Sequence, residues 1–284
     1  MRVLFVSDYT LEQQLGGAQV SNDLIIKKGR DLGHEIIEHH KDSSVVDFLS
    51  SYDLLVSSNL EVISRAAPNK LDFILKHPNH IRVEHDSCSY LESSRRQELF
   101  ESSKINFFLS DFHVSFFREC YGDFFKNIEI VYDPIDTEVF YEGTEEKKYD
   151  IVYCGYLHAL KGVRRLVEYA TANPHRSIDI FGWHCPQTSP SIFDNIGNVN
   201  YNGPKPHGEI AAIFRASQAI YHEPIVNEPF CRMVAEGLLC GVREVIGAPE
   251  KIGSYLEFQK VGREEFARQC SHATENFWNK IETL

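Results

Sequence analysis

The sequence predicts an α/β protein of two lobes, each a parallel sheet with helices on both faces. Three observations carry this expectation. Short apolar runs alternate with longer segments whose apolar residues recur at helical spacing. The alternation breaks once, over 139–148, where FYEGTEEKK is polar and charged, and then restarts. The 284 residues suffice for two domains of ordinary size, each able to bury a core without a disulfide or metal.

In the first lobe a strand is predicted at Val3–Ser7. A helix follows over Gln19–Leu32, with Val20, Leu24, Ile25 and Leu32 as its apolar positions and Gly33 at its cap. Further strands are predicted at Glu35–Glu38, Asp53–Ser57, His80–Val83, Ile105–Leu109 and Ile128–Tyr132. In the second lobe, strands at Asp150–Cys154, Ser177–Phe181, Asn198–Tyr201, Gln218–His222 and Val242–Ile246 are expected. They alternate with helices over Val163–Ala172, Glu209–Ala216 and Pro229–Cys240. The last stretch, Glu264–Ile281, reads as helical, with Phe266, Cys270, Ala273, Phe277 and Ile281 on one stripe. The expected domains are 1–140, 141–265, and a terminal helix over 266–284 that packs back on the first domain.

Composition narrows the function. Apolar residues make up 43% and charged residues 25%, which excludes a largely disordered chain. The net charge of −12 argues against a dominant non-specific grip on DNA or anionic lipid. The acidity is concentrated in residues 1–140, which carry −9 against −3 for the remainder. No apolar run is long enough to span a membrane, and MRVLFVSDYT reads as a first strand and not as a signal peptide. Seven cysteines without a CxxC pair suggest neither a disulfide framework nor a zinc ribbon, and a reducing cytoplasm is the expected setting. His77, His80 and His85 with Asp86 match no zinc spacing, so no metal site is expected. Asp8 after the first strand reads as structural. His39 and His40 read as solvated, and Trp183 and Trp278 as packing residues.

Three segments carry chemistry. In NEPFCRMVAEGLLCG, Glu228 and Glu236 stand eight apart. Pro229 is placed to start a helix, so that the amides near Phe230, Cys231 and Arg232 have no helical acceptor. Such a helix start suits a phosphate or a sugar hydroxyl, although an ordinary solvated acidic helix has the same pattern. In DIVYCGYLHALKG, a buried strand ends at Gly155, and Lys161-Gly162 opens a helix. This puts an ammonium at the carboxyl end of a parallel strand, where ligands of open α/β sheets bind; a surface lysine in a connecting loop is the bland alternative. In Leu15-Gly16-Gly17-Ala18, glycines between the first strand and helix let backbone approach a ligand, or simply make a tight turn.

In this order the segments resemble retaining glycosyltransferases of the GT-B fold, family 4. The resemblance covers most of the chain. LGGAQVSNDLIIKKGRDLGHEI is similar to the family's amino-terminal Gly-Gly loop and helix. VYDPIDTEVFY is similar to the segment after its last amino-domain strand, IVYCGYLHALKGVRRLVEYA to its glycine–lysine–glycine loop, and NEPFCRMVAEGLLCGV to its Glu-x7-Glu motif. The resemblance implies two Rossmann-like domains whose parallel sheets face a central cleft, closing to exclude water. It implies a nucleotide sugar, such as a UDP- or GDP-sugar, as co-substrate, with no further cofactor and no metal.

Residue by residue, the resemblance gives Lys161 the donor diphosphate, Glu236 the ribose hydroxyls, and Glu228 the hydroxyls of the transferred sugar, helped by the amides around Phe230 and Cys231. Gly16 and Gly17 would bring backbone to the donor, with Gly155, Tyr156 and Arg232 also on the donor side. His85 and Asp86, in IRVEHDSCSY, and Ser110, in FFLSDFH, would line the acceptor side; Lys161, Glu228 and His85 form the expected catalytic set. Two departures stand out. Tyr156 occupies the place of the family's phosphate-binding arginine, with Arg164 and Arg165 the nearest cations on the next helix. Asp133-Pro134-Ile135 replaces the common Asn-Gly. These leave two alternatives to transfer: a catalytically silent nucleotide-sugar-binding subunit, and a GT-B-type sugar-nucleotide epimerase. The acceptor stays open among saccharide, lipid carrier, small metabolite, protein and modified nucleic-acid base.

Overall fold

The computed structural model describes all residues except 15, 45–49, 88–90, 92 and 284, so Leu15 of the Gly-Gly loop and Cys88 lie outside the described residues. The chain divides into two units, Met1–Pro134 with His272–Leu284, and Ile135–Ser271. The division falls before residue 140 and after residue 265. The charged stretch lies wholly in the second unit because its partners are there. Ile135 N–H donates to Cys270 O at 3.3 Å. The Phe140 and His207 rings lie 4.6 Å apart. Glu142 and Glu145 pair with Arg263 and Arg215.

The first unit holds β1 (Arg2–Ser7), α1 (Gly17–Asp31), β2 (Glu35–His39), β3 (Leu54–Ser58), α2 (Glu61–Ala66), α3 (Pro68–Lys76), β4 (His80–Val83), α4 (Ser93–Ser102), β5 (Ile105–Phe108), α5 (Asp111–Tyr121) and β6 (Ile128–Ile130). The sheet is parallel, in the order β2-β1-β3-β4-β5-β6. Its central strands are buried almost without a break, as expected where helices cover both faces. The period of two separates the faces. Val3 and Phe5 pack with Ile25 and Ile26 of α1. Leu4 and Val6 pack with Leu60, Ile63 and Leu71 on the other side. The phenylalanine-rich stretches form one aromatic core of Phe100, Phe108, Phe116, Phe117 and Phe125.

The second unit holds β7 (Tyr149–Cys154), α6 (Val163–Ala172), β8 (Ile178–Phe181), β9 (Val199–Tyr201), α7 (His207–Arg215), β10 (Ser217–His222), α8 (Arg232–Leu239), β11 (Glu244–Gly247), α9 (Gly253–Val261) and α10 (Arg263–Ser271). Its sheet is also parallel, in the order β11-β10-β7-β8-β9.

The predicted single helix over Glu264–Ile281 is two helices, α10 and α11 (Ala273–Glu282), meeting at His272. All five residues of the stripe are buried, but in different cores. Phe266 and Cys270 belong to the second unit, while Phe277 and Ile281 join the core of the first. Trp278 anchors α11: it is fully buried, and its Nε1–H donates to Ile25 O at 2.8 Å. Gly29 of α1 is required beneath it, because a Cβ there would stand 2.3 Å from the indole. Trp183, by contrast, is 62% exposed at the end of β8 and packs in no core. His39 is buried at the end of β2 rather than solvated. Trp278→Ala empties this socket and leaves Ile25 O without its donor. It should cost the first unit about 3–5 kcal/mol, read as a lowered denaturant midpoint; an unchanged midpoint would contradict the anchor.

Candidate functional site

Each sheet reverses its strand order once, between β1 and β3 in the first unit and between β7 and β10 in the second. Ligands of open parallel sheets bind at the carboxyl ends of strands flanking such a point. In the second unit the sequence-predicted residues follow β7 and β10, at the reversal; in the first, Gly16 and Gly17 follow β1, whereas His85 and Asp86 follow β4 and Ser110 follows β5, one and two strands beyond it.

In the second unit, β7 runs through Gly155 and Tyr156 into a 3-10 turn, Ala159–Lys161. The imidazole of His158 caps it, accepting from Leu160 N–H at 3.2 Å. Gly162 follows in the left-handed region at φ 80°, and a Cβ there would lie 1.9 Å from Glu223 O. Glycine therefore lets this turn seat against the segment leaving β10. The seat aims Lys161 at Glu228, with Nζ 2.7 and 2.9 Å from the two carboxylate oxygens. His222, the last residue of β10, places Nε2 3.5 Å from the same carboxylate.

The Glu228 segment differs from expectation. Helix α8 starts at Arg232, with Cys231 as its cap at φ 69°, and not at Pro229. Residues 228–230 are instead tied alongside 251–254. Glu228 N–H donates to Lys251 O at 2.8 Å, Gly253 N–H to Glu228 O at 2.9 Å, and Ser254 N–H to Phe230 O at 2.8 Å. A fixed proline φ suits such an extended segment as well as a helix start, so the sequence signal did not distinguish them. The first-turn amides are those of Arg232, Met233 and Val234. Phe230 is core, with its ring stacked on Phe266 at 5.9 Å.

Glu236 lies one turn into α8 and is 6% exposed. Its carboxylate faces His207 Nε2 at 3.2 Å and Arg232 Nη2 at 3.5 Å. Tyr156 is half exposed and stacked on His158. Arg165 is engaged elsewhere, on Glu223 at 3.3 Å and Pro224 O at 3.4 Å.

Charge defines this site. Burial alone would raise the Glu228 carboxyl, but His222 and Lys161 hold it at about 2. Burial alone would lower His222, but its neighbours Cys231 and Glu228 raise it to about 9. The pair is thus a carboxylate facing an imidazolium, with Lys161 at the open side. His207 was not a candidate from the sequence, whereas His222 stood there within Tyr221-His222-Glu223, a strand end just ahead of the acidic motif that suits lining a ligand site as well as a bland role.

In the first unit, Gly16 caps α1 without a side-chain hydrogen bond, and Gly17 begins it. His85 and Asp86 follow β4 and are joined by a polar chain. His85 Nε2 meets Asn22 Oδ1 at 3.0 Å. Asn22 Nδ2 donates to Ser58 Oγ at 3.1 Å, and Ser58 Oγ donates to Asn59 Oδ1 at 3.0 Å. Asn59 Nδ2 closes the chain on Asp86 Oδ2. Asp133 lies on the far side of His85, its Oδ1 3.9 Å from Nδ1 while accepting from Ser21 Oγ at 2.6 Å. Burial, with Glu84 beside it, raises Asp86 to about 7. Ser110 is fully buried and caps α5, accepting from His113 N–H at 3.0 Å. Asp8 caps α2, accepting from Val62 and Ile63 N–H at 2.9 and 2.8 Å. His80 is buried among Ser57, Ser102 and Ser103, and burial keeps it neutral.

The Glu228–His222 pair links protons to stability in the second unit. A carboxyl lowered from 4.5 to about 2 stabilises the fold above its unfolded value, and loses that as pH falls toward 2. An imidazole raised from 6.5 to about 9 stabilises the fold below 6.5, and loses that as pH rises through 9. The melting-temperature difference between wild type and Glu228→Gln should therefore be widest between pH 4.5 and 6.5. A difference independent of pH from 3 to 10 would contradict the pair.

Comparison with known proteins places this geometry in context. No family model and no curated protein matches the sequence. Solved structures do match. HepE from Anabaena, in complex with UDP and glucose, superposes with a TM-score of 0.67 at 15% identity over 100% of both chains. The sucrose-phosphate synthase of Thermosynechococcus elongatus gives 0.68 at 12%, covering 100% of this chain and 94% of its own. AviGT4, a glycosyltransferase involved in avilamycin A biosynthesis, gives 0.63 at 14%, covering 100% and 97%. The chain therefore has the GT-B fold, two Rossmann-like units with parallel sheets, over its whole length.

Proposed function

We propose that the protein is a retaining glycosyltransferase that moves a sugar from a nucleotide sugar to an acceptor hydroxyl without a metal. The observation that carries this reading is the junction of β7, β10 and α8. One mobile ammonium, Lys161, there meets a buried carboxylate that has a second cationic partner in His222. Glu236 stands on the same helix, eight residues further on. Supporting it are the four ordered sequence motifs and the fold, since the similar HepE structures hold UDP and UDP-glucose.

The diphosphate of the donor draws Lys161 away from Glu228. The carboxylate stays ionised beside His222 and turns its oxygens to the sugar hydroxyls. Glu236, positioned by His207 and Arg232, accepts from the ribose hydroxyls. As the bond from the anomeric carbon to the phosphate oxygen breaks, negative charge collects on the diphosphate, where Lys161 and the first-turn amides of α8 stabilise it. The acceptor oxygen forms its bond on the same face, and its proton passes to the leaving phosphate. Glu228 acts here as a sugar ligand and not as a nucleophile.

Tyr156 favours a second reading, a nucleotide-sugar-binding protein without turnover. A missing charged hydrogen bond to phosphate costs about 1.5–3 kcal/mol, and Arg165 is committed to Glu223. Transfer or hydrolysis of a nucleotide sugar by the purified protein separates the two readings.

Lys161→Ala should reduce transfer by orders of magnitude while circular dichroism stays unchanged; near-normal turnover would remove the lysine from the reaction. Glu236→Ala should weaken nucleotide affinity by about tenfold or more, in line with a lost hydrogen bond to a charged group. Unchanged calorimetric affinity would overturn the ribose assignment.

A further inference from the structure

His222, Glu228 and Cys231 bring an imidazole nitrogen, a carboxylate oxygen and a thiol sulfur within 4.8 Å of one another. These are the side-chain types that zinc takes in mixed sites with three protein ligands and one open position. The cluster is rigidly built. The left-handed Cys231 is held by Ser254, whose Oγ donates to Cys231 O at 3.1 Å. Glu228 is pinned through its N–H and its O to Lys251 and Gly253. His222 is 2% exposed; apart from the Glu228 carboxylate 3.5 Å from Nε2, neither ring nitrogen has a hydrogen-bonding partner among the described residues. A buried ring nitrogen in that state calls for an explanation, and a coordinated ion supplies one.

We propose that His222, Glu228 and Cys231 bind a soft divalent cation, with zinc as its representative, and that this ion excludes the sugar donor. On binding, the Cys231 thiol and the His222 imidazolium each release a proton to solvent, leaving a thiolate and a neutral ring nitrogen as ligands. The Glu228 carboxylate exchanges Lys161 for the ion. Lys161, with a side chain 44% exposed, has solvent to move into. Tetrahedral zinc sets a nitrogen, an oxygen and a sulfur ligand about 3.3–3.6 Å apart, so the cluster has to contract by about 1.5 Å at most. Thiolate and imidazole select zinc or cobalt over magnesium, which takes oxygen ligands. The bound ion takes the Glu228 oxygens that the donor's sugar needs. That antagonism rests on the transferase reading, whereas the coordination does not.

The test uses cobalt(II) as a spectroscopic probe of the full-length, nucleotide-free protein. A thiolate-to-cobalt charge-transfer band should saturate at one equivalent, be displaced by zinc, and resist a large excess of magnesium. It should vanish in Cys231→Gly, a variant that the left-handed backbone at this position accommodates. Absence of the band, or its persistence in Cys231→Gly, would overturn the site. A nucleotide sugar that binds the metal-free protein, such as UDP-glucose, should weaken cobalt binding at least severalfold; equal cobalt affinity with that nucleotide sugar bound would overturn the antagonism. Because the band is read without nucleotide, its absence leaves the transferase reading standing. Failure of UDP and GDP alike to bind metal-free protein would instead count against that reading and not against the coordination.

Discussion

A carboxylate taken out of water keeps its charge only beside opposite charge. Glu228, with a side chain 10% exposed, does so through two cations of different kinds. His222 is buried at the end of a strand, whereas Lys161 is long and its side chain is 44% exposed. In the proposed reaction one cation leaves to meet an incoming anion while the other keeps the carboxylate ionised. A single permanent partner would lock Glu228, and the absence of any partner would protonate it. Gly162, Gly155 and the tie between 228–230 and 251–254 place these three groups. The turn chemistry of the second unit is thus subordinate to one ion cluster.

The first unit solves a different problem. The carboxyl ends of β1, β3 and β4 present neutral and acidic groups in a closed chain from His85 through Asn22, Ser58 and Asn59 to Asp86. Each member donates to or accepts from the next, so the groups along the chain compensate one another. Such a chain fixes the imidazole with Nε2 on Asn22, which sets the face that Nδ1 offers toward Asp133. It suits recognition of hydroxyl groups more than of phosphate. That fits the proposal that the second unit holds the donor.

Much of this was legible in the sequence, because parallel strands buried on both faces announce themselves as unbroken apolar runs. The strands from Val3 to Ile246 were located to within a residue or two. Lys161, Glu228 and Glu236 stood out because glycine and proline punctuate the loops that carry them. What was not legible depended on tertiary pairing. Pro229 fits an extended segment as well as a helix start, and only the tie to 251–254 decides between them. The stripe from Phe266 to Ile281 has helical spacing throughout, yet His272 divides it between two cores that no periodicity separates. His39 and Trp183 exchange the environments expected of them, since burial at a strand end depends on what packs there. Asn22 and His207 were missed, and His222 was left undecided, because a helix asparagine or a strand-end histidine becomes functional only through its partners.

The central claim is that the junction of β7, β10 and α8 is a nucleoside-diphosphate site in which Lys161 changes partner. Calorimetric titration of the metal-free protein with UDP, GDP and the corresponding nucleosides tests it most directly. One diphosphate should bind at a single site and far more tightly than its nucleoside, with the difference lost in Lys161→Ala. Equal affinity for a diphosphate and its nucleoside in the wild-type protein, or no affinity for any of them, would contradict the account.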